Sequence, residues 1–179
     1  IIAMSCLTLF TAKPVNAQNE DTITINADGS ISPPTAPIQQ EGNTYAVKAD
    51  FQGNVLIQKS NIVFNGAGRS LQGYSIKLLE VTNVTIRGLP HGSRFGIILE
   101  DSIGCRVNNN TITDVWSFLG LNGISYEGIH VSGGSSNVFS ENVLVNNSIG
   151  FYFENSANNV ISKNSITYTK QSVNSNIIG

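Results

Sequence analysis

Short stretches of alternating apolar and polar residues recur through the second half of the chain. Each stretch follows a glycine and holds two apolar residues separated by one position. A period of two places such residues on one side of a β-strand, and the stretches are too short for helices. The pattern therefore predicts a series of short strands. The three clearest pairs are Ile97 and Leu99, Ile129 and Val131, and Phe151 and Phe153.

These stretches belong to a longer internal repeat. The units that begin at Gly128 and Gly150 lie 22 residues apart, whereas the unit at Gly96 precedes the next by 32. The longer interval indicates about ten inserted residues around 116–125. One unit cannot bury its apolar side alone, so successive units must stack around a continuous core. We predict an all-β fold, a parallel β-helix with coils of about 22 residues. Looser copies of the unit occur at Lys59–Phe64 and Glu80–Ile86.

An asparagine stands fourteen positions after each of the three glycines. Asparagine tolerates left-handed backbone at a bend, and stacked amides can hydrogen-bond along the stack. We therefore predict a structural asparagine ladder. Cys105 aligns with Asn137 and Asn159 in a second column, which predicts a turn position for the cysteine. The ladder residues are Asn110, Asn142 and Asn164.

The N-terminal part differs from the repeat. Residues 22–31 read as a β-hairpin around the Asp28–Gly29 turn, and three prolines then interrupt the pattern before residue 44. We interpret residues 22–47 as an N-terminal hairpin cap that protects the open end of the stack. Residues 48–179 are predicted to form the β-helix, and we expect it to continue beyond residue 179.

The first seventeen residues resemble an export signal. An apolar run from Ile1 to Phe10 is followed by Val15-Asn16-Ala17, a small-residue cleavage pattern. We expect residues 1–17 to be an N-terminally truncated signal peptide of a secreted, periplasmic or cell-surface protein. No later segment is apolar and long enough to span a membrane.

Composition supports an ordered β protein. Hydrophobic residues make up 40% of the chain and charged residues only 12%, which argues against disorder and against exposed helices. The net charge of −2 leaves no basic stripe for a phosphate backbone, so we expect no nucleic-acid partner.

The repeat resembles a known family. The segment Asn61-Ile-Val-Phe-Asn-Gly-Ala-Gly68 with Leu71-Gln-Gly73, and the coil from Asn155 to Ile166, are similar to NosD-like proteins of the pectin-lyase-like superfamily. The resemblance implies a right-handed β-helix in a secreted or surface protein. That superfamily contains polysaccharide lyases and hydrolases, carbohydrate-binding modules, adhesins and an accessory protein of nitrous-oxide reductase maturation. Fold alone does not choose among these functions.

Outward-facing positions supply the candidate site. If the coils stack in register, His130 lies between Ile98 and Tyr152, with carboxylates on the next outward column. An aromatic ring, a histidine and two carboxylates suit sugar binding or acid–base chemistry, although an ordinary solvated face would look the same. The insertion adds aromatic residues that can contact sugars or cover the sheet. The candidate binding residues are His130, Tyr152, Glu100, Glu154, Trp116 and Tyr126, with Phe118 and Glu127 nearby.

Neither a catalytic motif nor a metal-binding motif is complete. The clustered Asp residues of calcium-dependent lyases and the motifs of galacturonan hydrolases do not occur. Two carboxylates at a suitable separation could still hydrolyse a glycoside, and Glu100 with Glu154 is one such candidate pair. The mature chain offers His91, His130 and Cys105 as soft metal ligands, too few for a predicted copper site. We therefore predict no cofactor and no metal.

The sequence thus favours a binding or structural scaffold directed at a polysaccharide or cell-envelope glycan. The alternatives are a polysaccharide lyase or glycoside hydrolase with catalytic residues partly outside this sequence, and a copper-maturation accessory protein.

An exposed Glu141–Lys163 ion pair is expected one coil apart. Glycosylation sequons stand at Asn83, Asn109 and Asn146.

Overall fold

The computed structural model describes residues 22–90, 94–115, 127–167, 169 and 171–176. All regular elements within these ranges are β-strands. The strands are β1 (Thr22–Ile25), β2 (Ile31–Ser32), β3 (Ile38–Glu41), β4 (Thr44–Val47), β5 (Phe51–Gln52), β6 (Asn54–Ile57), β7 (Val63–Asn65), β8 (Leu71–Leu79), β9 (Thr85–Arg87), β10 (Arg94–Glu100), β11 (Arg106–Asn108), β12 (Thr111–Thr113), β13 (Glu127–Ser132), β14 (Val138–Ser140), β15 (Val143–Val145), β16 (Ile149–Glu154), β17 (Val160–Ser162), β18 (Ser165–Thr167) and β19 (Gln171–Asn176).

The strands form three sheets that the chain visits in turn. Sheet A has nine strands in the order β19-β16-β13-β10-β8-β6-β1-β2, with β5 also paired to β8. Sheet B has seven strands in the order β17-β14-β11-β9-β7-β4-β3, and sheet C has three in the order β12-β15-β18. Consecutive coils pair in parallel, as in β10 with β13 and β13 with β16. The predicted parallel β-helix is confirmed.

The core consists of columns of inward side chains, one from each coil. In sheet B the register aligns Phe64, Ile86, Val107 and Phe139, all of which are buried. The looser copies at residues 59–64 and 80–86 are therefore genuine coils. Phe139 of this column packs against two aromatic residues of sheet A, and its ring centroid lies 5.8 Å from that of Phe151 and 5.7 Å from that of Phe153.

Each bend between sheets B and C combines a left-handed residue with an asparagine whose side chain turns inward. Non-glycine residues with positive φ directly precede the ladder asparagines: Asn109, Glu141 and Lys163, with φ of 54°, 57° and 55°. The expectation that the ladder asparagines themselves adopt the left-handed conformation is wrong. They stand one position later, where the side chain turns inward to meet buried backbone groups.

The asparagine ladder links each coil to the preceding one. The Oδ1 of Asn142 accepts hydrogen bonds from the backbone N and from Nδ2 of Asn110, both at 3.1 Å. Its Nδ2 donates to the backbone oxygen of Val107 at 2.8 Å and to Oδ1 of Asn164 at 2.9 Å. Asn164 repeats the pattern by donating to the backbone oxygen of Phe139. The amides thus satisfy backbone groups that the bends leave without ladder partners.

Two further bends use the same device. Asn137 accepts a hydrogen bond from the backbone N of Cys105 at 2.9 Å and donates to the oxygen of Ser102 at 3.0 Å. Asn147 likewise accepts from Val115 and donates to the oxygen of Ile112. Cys105 stands at the predicted bend, fully buried, and burial raises the pKa of its thiol.

Antiparallel strands close the N-terminal edge of sheets A and B. Strand β2 pairs antiparallel with β1, which confirms the predicted hairpin. Strand β3 pairs antiparallel with β4 around residues 42–43, a second hairpin that the sequence reading missed. The two hairpins are joined by the Tyr45 hydroxyl, which donates to the oxygen of Gly29 at 2.9 Å. Each of the two sheets therefore ends in an antiparallel strand on this side, as an edge-protecting cap requires.

The predicted insertion is visible in the register. Ile97 pairs with Ile129, 32 positions later, whereas Ile129 pairs with Phe151, 22 positions later. Both intervals match those expected from the sequence. The signal peptide expected at residues 1–17 lies outside the described residues, as do the insertion residues 116–126, which include Trp116, Phe118 and Tyr126.

Candidate functional site

The candidate site lies on the outward face of sheet A, across strands β10, β13 and β16. The register pairs Ile98 with His130 and His130 with Tyr152. The neighbouring residues Ile129 and Val131 point into the core and are fully buried. The alternation of the strand therefore directs His130 outward, into the column that the repeat predicts.

His130 contacts both neighbours in the following coil. Its Nε2 lies 3.3 Å from Oε1 of Glu154, and its ring meets the ring of Tyr152 edge-on, with centroids 4.9 Å apart at 74°. The side chains of His130 and Glu154 remain 22% and 33% exposed. The imidazole, the carboxylate and the phenol ring thus form one partly exposed cluster, and a ligand on the sheet can reach all three.

A second carboxylate lies behind the imidazole. Oε2 of Glu127 is 3.7 Å from Nδ1 of His130, and the Glu127 side chain is only 3% exposed. Its other oxygen, Oε1, is buried and has no hydrogen-bond partner among the described residues. A buried carboxylate normally satisfies both oxygens, because an unpartnered buried acceptor costs about 1–3 kcal/mol. Glu127 is therefore the least satisfied acidic group of the site.

Strand β13 begins in close contact with its surroundings. A Cβ at Gly128 would lie 2.8 Å from Cδ2 of Leu144 and 3.0 Å from the oxygen of Gly150. Only glycine fits there without displacing the neighbouring coil. The start of strand β13 therefore lies against the next coil. Glu127 is buried because the alternation of the strand puts it on the same inward side as Ile129 and Val131.

Glu100 lies farther along the same face. It pairs in register with Ser132, which pairs with Glu154, so one coil separates the two carboxylates. Glu100 forms an ion pair with Lys77 of the preceding coil. The face thus divides into a Lys77–Glu100 pair and a separate cluster of His130, Tyr152, Glu127 and Glu154.

This geometry permits two kinds of chemistry. The exposed imidazole and carboxylate offer a hydrogen-bond donor and an acceptor beside an aromatic ring, the combination that orients a sugar. The same imidazole lies between two carboxylates, an arrangement that can orient a proton-transferring histidine. Glu127 is the residue whose importance the sequence reading underestimated, because that reading grouped it with the insertion, whereas it is the first residue of strand β13.

The parallel coils of this chain match a known protein family. A family model described as the right-handed β-helix region matches residues 38–176. The chain belongs to the right-handed β-helix family. No curated protein and no solved structure matches it. The family assignment covers the parallel coils and the second hairpin of this β-helix, and it supports a structural or binding scaffold.

Other features of the β-helix lie apart from this cluster. No helix among the described residues is long and apolar enough to cross a membrane, and no group of three potential metal ligands occurs within that part of the chain. Glu141 and Lys163 form the expected exposed pair at 4.0 Å. The sequon residues Asn83, Asn109 and Asn146 all occupy left-handed bend positions. A shallow cavity of about 260 Å³, absent from the sequence candidates, is lined by Asp50, Phe51, Gln52, Ser70 and Gln72.

Proposed function

We propose that this β-helix is a carbohydrate-binding scaffold, and that the outward face of strands β10, β13 and β16 is its binding surface. The observation that carries the proposal is the contact of the partly exposed His130 with both Tyr152 and Glu154. Tyrosine combines an apolar ring face with a polar tip, and the carboxylate accepts hydrogen bonds from hydroxyl groups.

The scaffold itself favours a polymeric ligand. Parallel strands place equivalent side chains about 4.8 Å apart on successive coils, so the face offers a regular series of contacts along the β-helix axis. A polysaccharide presents a regular series of rings and hydroxyls. Export, which residues 1–17 lead us to expect, would bring such a face to a cell-envelope or extracellular glycan.

A glycan array probed with the full chain tests the proposal. Tyr152→Ala should abolish or strongly reduce binding, because it removes the aromatic contact while leaving the inward core unchanged. Val143→Ala is the matched control, since Val143 is an exposed strand residue on sheet C. Binding that survives Tyr152→Ala, or that is lost equally in the control, would contradict the proposed surface.

A second candidate function is polysaccharide cleavage. The placement of His130 between Glu127 and Glu154 favours it, because such a histidine can transfer a proton. Release of unsaturated or reducing-end products in the array wells would establish an enzyme, and loss of products in His130→Gln would assign the residue. A NosD-like copper-maturation role rests on the sequence resemblance alone.

A further inference from the structure

Charged residues are unevenly distributed between the faces of the β-helix. Sheet B presents the exposed side chains of Arg87 and Arg106. From β8 to β16, sheet A and the bends that follow its strands carry five carboxylates against Lys77, Arg94 and His130. Carboxylates therefore outnumber lysine and arginine in this region by five to two, although the whole chain has a net charge of only −2. The five carboxylates belong to Glu80, Glu100, Asp101, Glu127 and Glu154.

The described side chains do not neutralise this charge. Lys77 is already paired with Glu100. His130 is shared between Glu127 and Glu154. Even a charged imidazole supplies one positive charge for these two carboxylates. Oε1 of Glu127 is buried and has no partner among the side chains that the structure describes, which is independent evidence that the cluster lacks a donor.

We infer that the ligand of this face is a glycan with free amino groups, a polymer of cationic amino sugars, and not a polyuronate. The inference rests on the proposed function and specifies its substrate class. An ammonium group offers three donors and a positive charge to the cluster. Tyr152 adds the face of an aromatic ring, which attracts cations.

Electrostatics also works against acidic glycans on this surface. A surface with one predominant sign of charge concentrates ligands of the opposite sign and repels ligands of the same sign. A uronate polymer would add carboxylates beside Glu154, Glu100 and Asp101, with Lys77 already engaged by Glu100. An N-acetylated polymer would keep the hydroxyl contacts and lose the ammonium group.

The test compares three oligosaccharides of equal length: glucosamine, N-acetylglucosamine and galacturonate hexamers, titrated calorimetrically into the full chain. We expect the glucosamine hexamer to bind at least tenfold more tightly than the acetylated one, and the galacturonate hexamer to show no binding. Raising the salt concentration should weaken glucosamine binding, because mobile ions screen exposed charges. Glu154→Gln, which keeps the side-chain shape, should lower the affinity for glucosamine about fivefold or more.

Glu141→Gln is the matched control, because Glu141 is an exposed carboxylate at the bend between sheets B and C. The control should bind as the parent does. Equal affinity for the acetylated and free-amine hexamers, or tighter binding of galacturonate, would overturn the inference and leave a carbohydrate-binding scaffold standing. Failure of all three hexamers and of the glycan array would overturn both. An equal loss in Glu154→Gln and Glu141→Gln would show non-specific attraction of a cation and also refute the inferred site.

Discussion

Asn142→Asp should destabilise the β-helix severely, although it exchanges one amide nitrogen for an oxygen of similar size. Asn142 is fully buried. Its amide nitrogen uses both hydrogens, one towards Val107 and one towards Asn164. Aspartate keeps the oxygen that accepts from Asn110 but places a second acceptor 2.8–2.9 Å from the other two oxygens. The substitution therefore removes two donors from a buried network.

The expected loss can be worked from these contacts. Each hydrogen bond contributes roughly 1 kcal/mol net, and a buried acceptor left without a donor costs about 1–3 kcal/mol. The sum, about 3–5 kcal/mol, is a large part of the 5–15 kcal/mol typical of a folded domain. A carboxyl among acceptors is protonated more readily in the folded than in the unfolded chain. The deficit should therefore grow as the pH rises above about 4.

Urea unfolding followed by far-UV circular dichroism measures the effect. The control is Asn158→Asp, because Asn158 is an exposed asparagine at a left-handed bend, with φ of 55°, and aspartate tolerates that conformation. The control should change the unfolding free energy by less than about 0.5 kcal/mol. The ladder amides would not hold the coils together in this way if Asn142→Asp lost no more unfolding free energy than the control. The same conclusion would follow if the variant lost as much at pH 3 as at pH 7.

Four further substitutions test other parts of the fold by thermal and urea unfolding. Gly134→Ala should lower the free energy of unfolding by several kcal/mol, and Gly104→Ala by only about 1–2 kcal/mol. Both glycines have a left-handed backbone, but only a Cβ at Gly134 would overlap the neighbouring coil. Equal losses in the two variants would contradict this expectation. Phe139→Ala should lower the free energy of unfolding by about 3–5 kcal/mol, since it empties the centre of the aromatic cluster. A loss below about 1 kcal/mol would show that the cluster repacks. Tyr45→Phe should cost about 1–2 kcal/mol, because it leaves the oxygen of Gly29 without its donor. Burial raises the pKa of the Tyr45 hydroxyl above its ordinary value of 10.0, so the folded chain keeps that proton to a higher pH than the unfolded chain. The parent should therefore lose stability above pH 10 relative to Tyr45→Phe. Parallel pH profiles of the two proteins would refute the role given to the Tyr45 hydroxyl.

The repeat made most of the fold predictable. A two-residue period identifies the strands, and a 22-residue interval between equivalent glycines identifies the stacking register, so the neighbours of His130 followed from counting alone. The hairpin β3–β4 was missed because the prolines before it obscure the alternating pattern. A turn of two residues, Gly42 and Asn43, was nevertheless the signal that could have identified it.

The bends and the buried carboxylate were less accessible to sequence reasoning. Asn109 and Asn110 are adjacent and chemically identical, yet one is left-handed and exposed while the other is buried in the ladder. Residue type cannot distinguish them, because asparagine suits both positions. Glu127 likewise resembles any acidic residue at the end of an insertion. The alternation of β13 accounts for its burial, but its contact with His130 and the lack of a partner for Oε1 among the described residues appear only in the three-dimensional structure.

The groups that hold the coils together are separate from those that face outward. Asn142 fixes its coil to the preceding coil through buried bonds at the bend between sheets B and C, whereas His130 projects from sheet A of the same coil. The spacing between His130 and Tyr152 therefore depends on backbone register and on the bends, and the outward residues themselves contribute little to it. Losing the edge-on ring contact costs about 0.5–1.5 kcal/mol, well below the cost at Asn142. Tyr152→Ala should accordingly shift the urea midpoint only slightly while it removes glycan binding, because on a stacked scaffold the outward face can change without changing the fold.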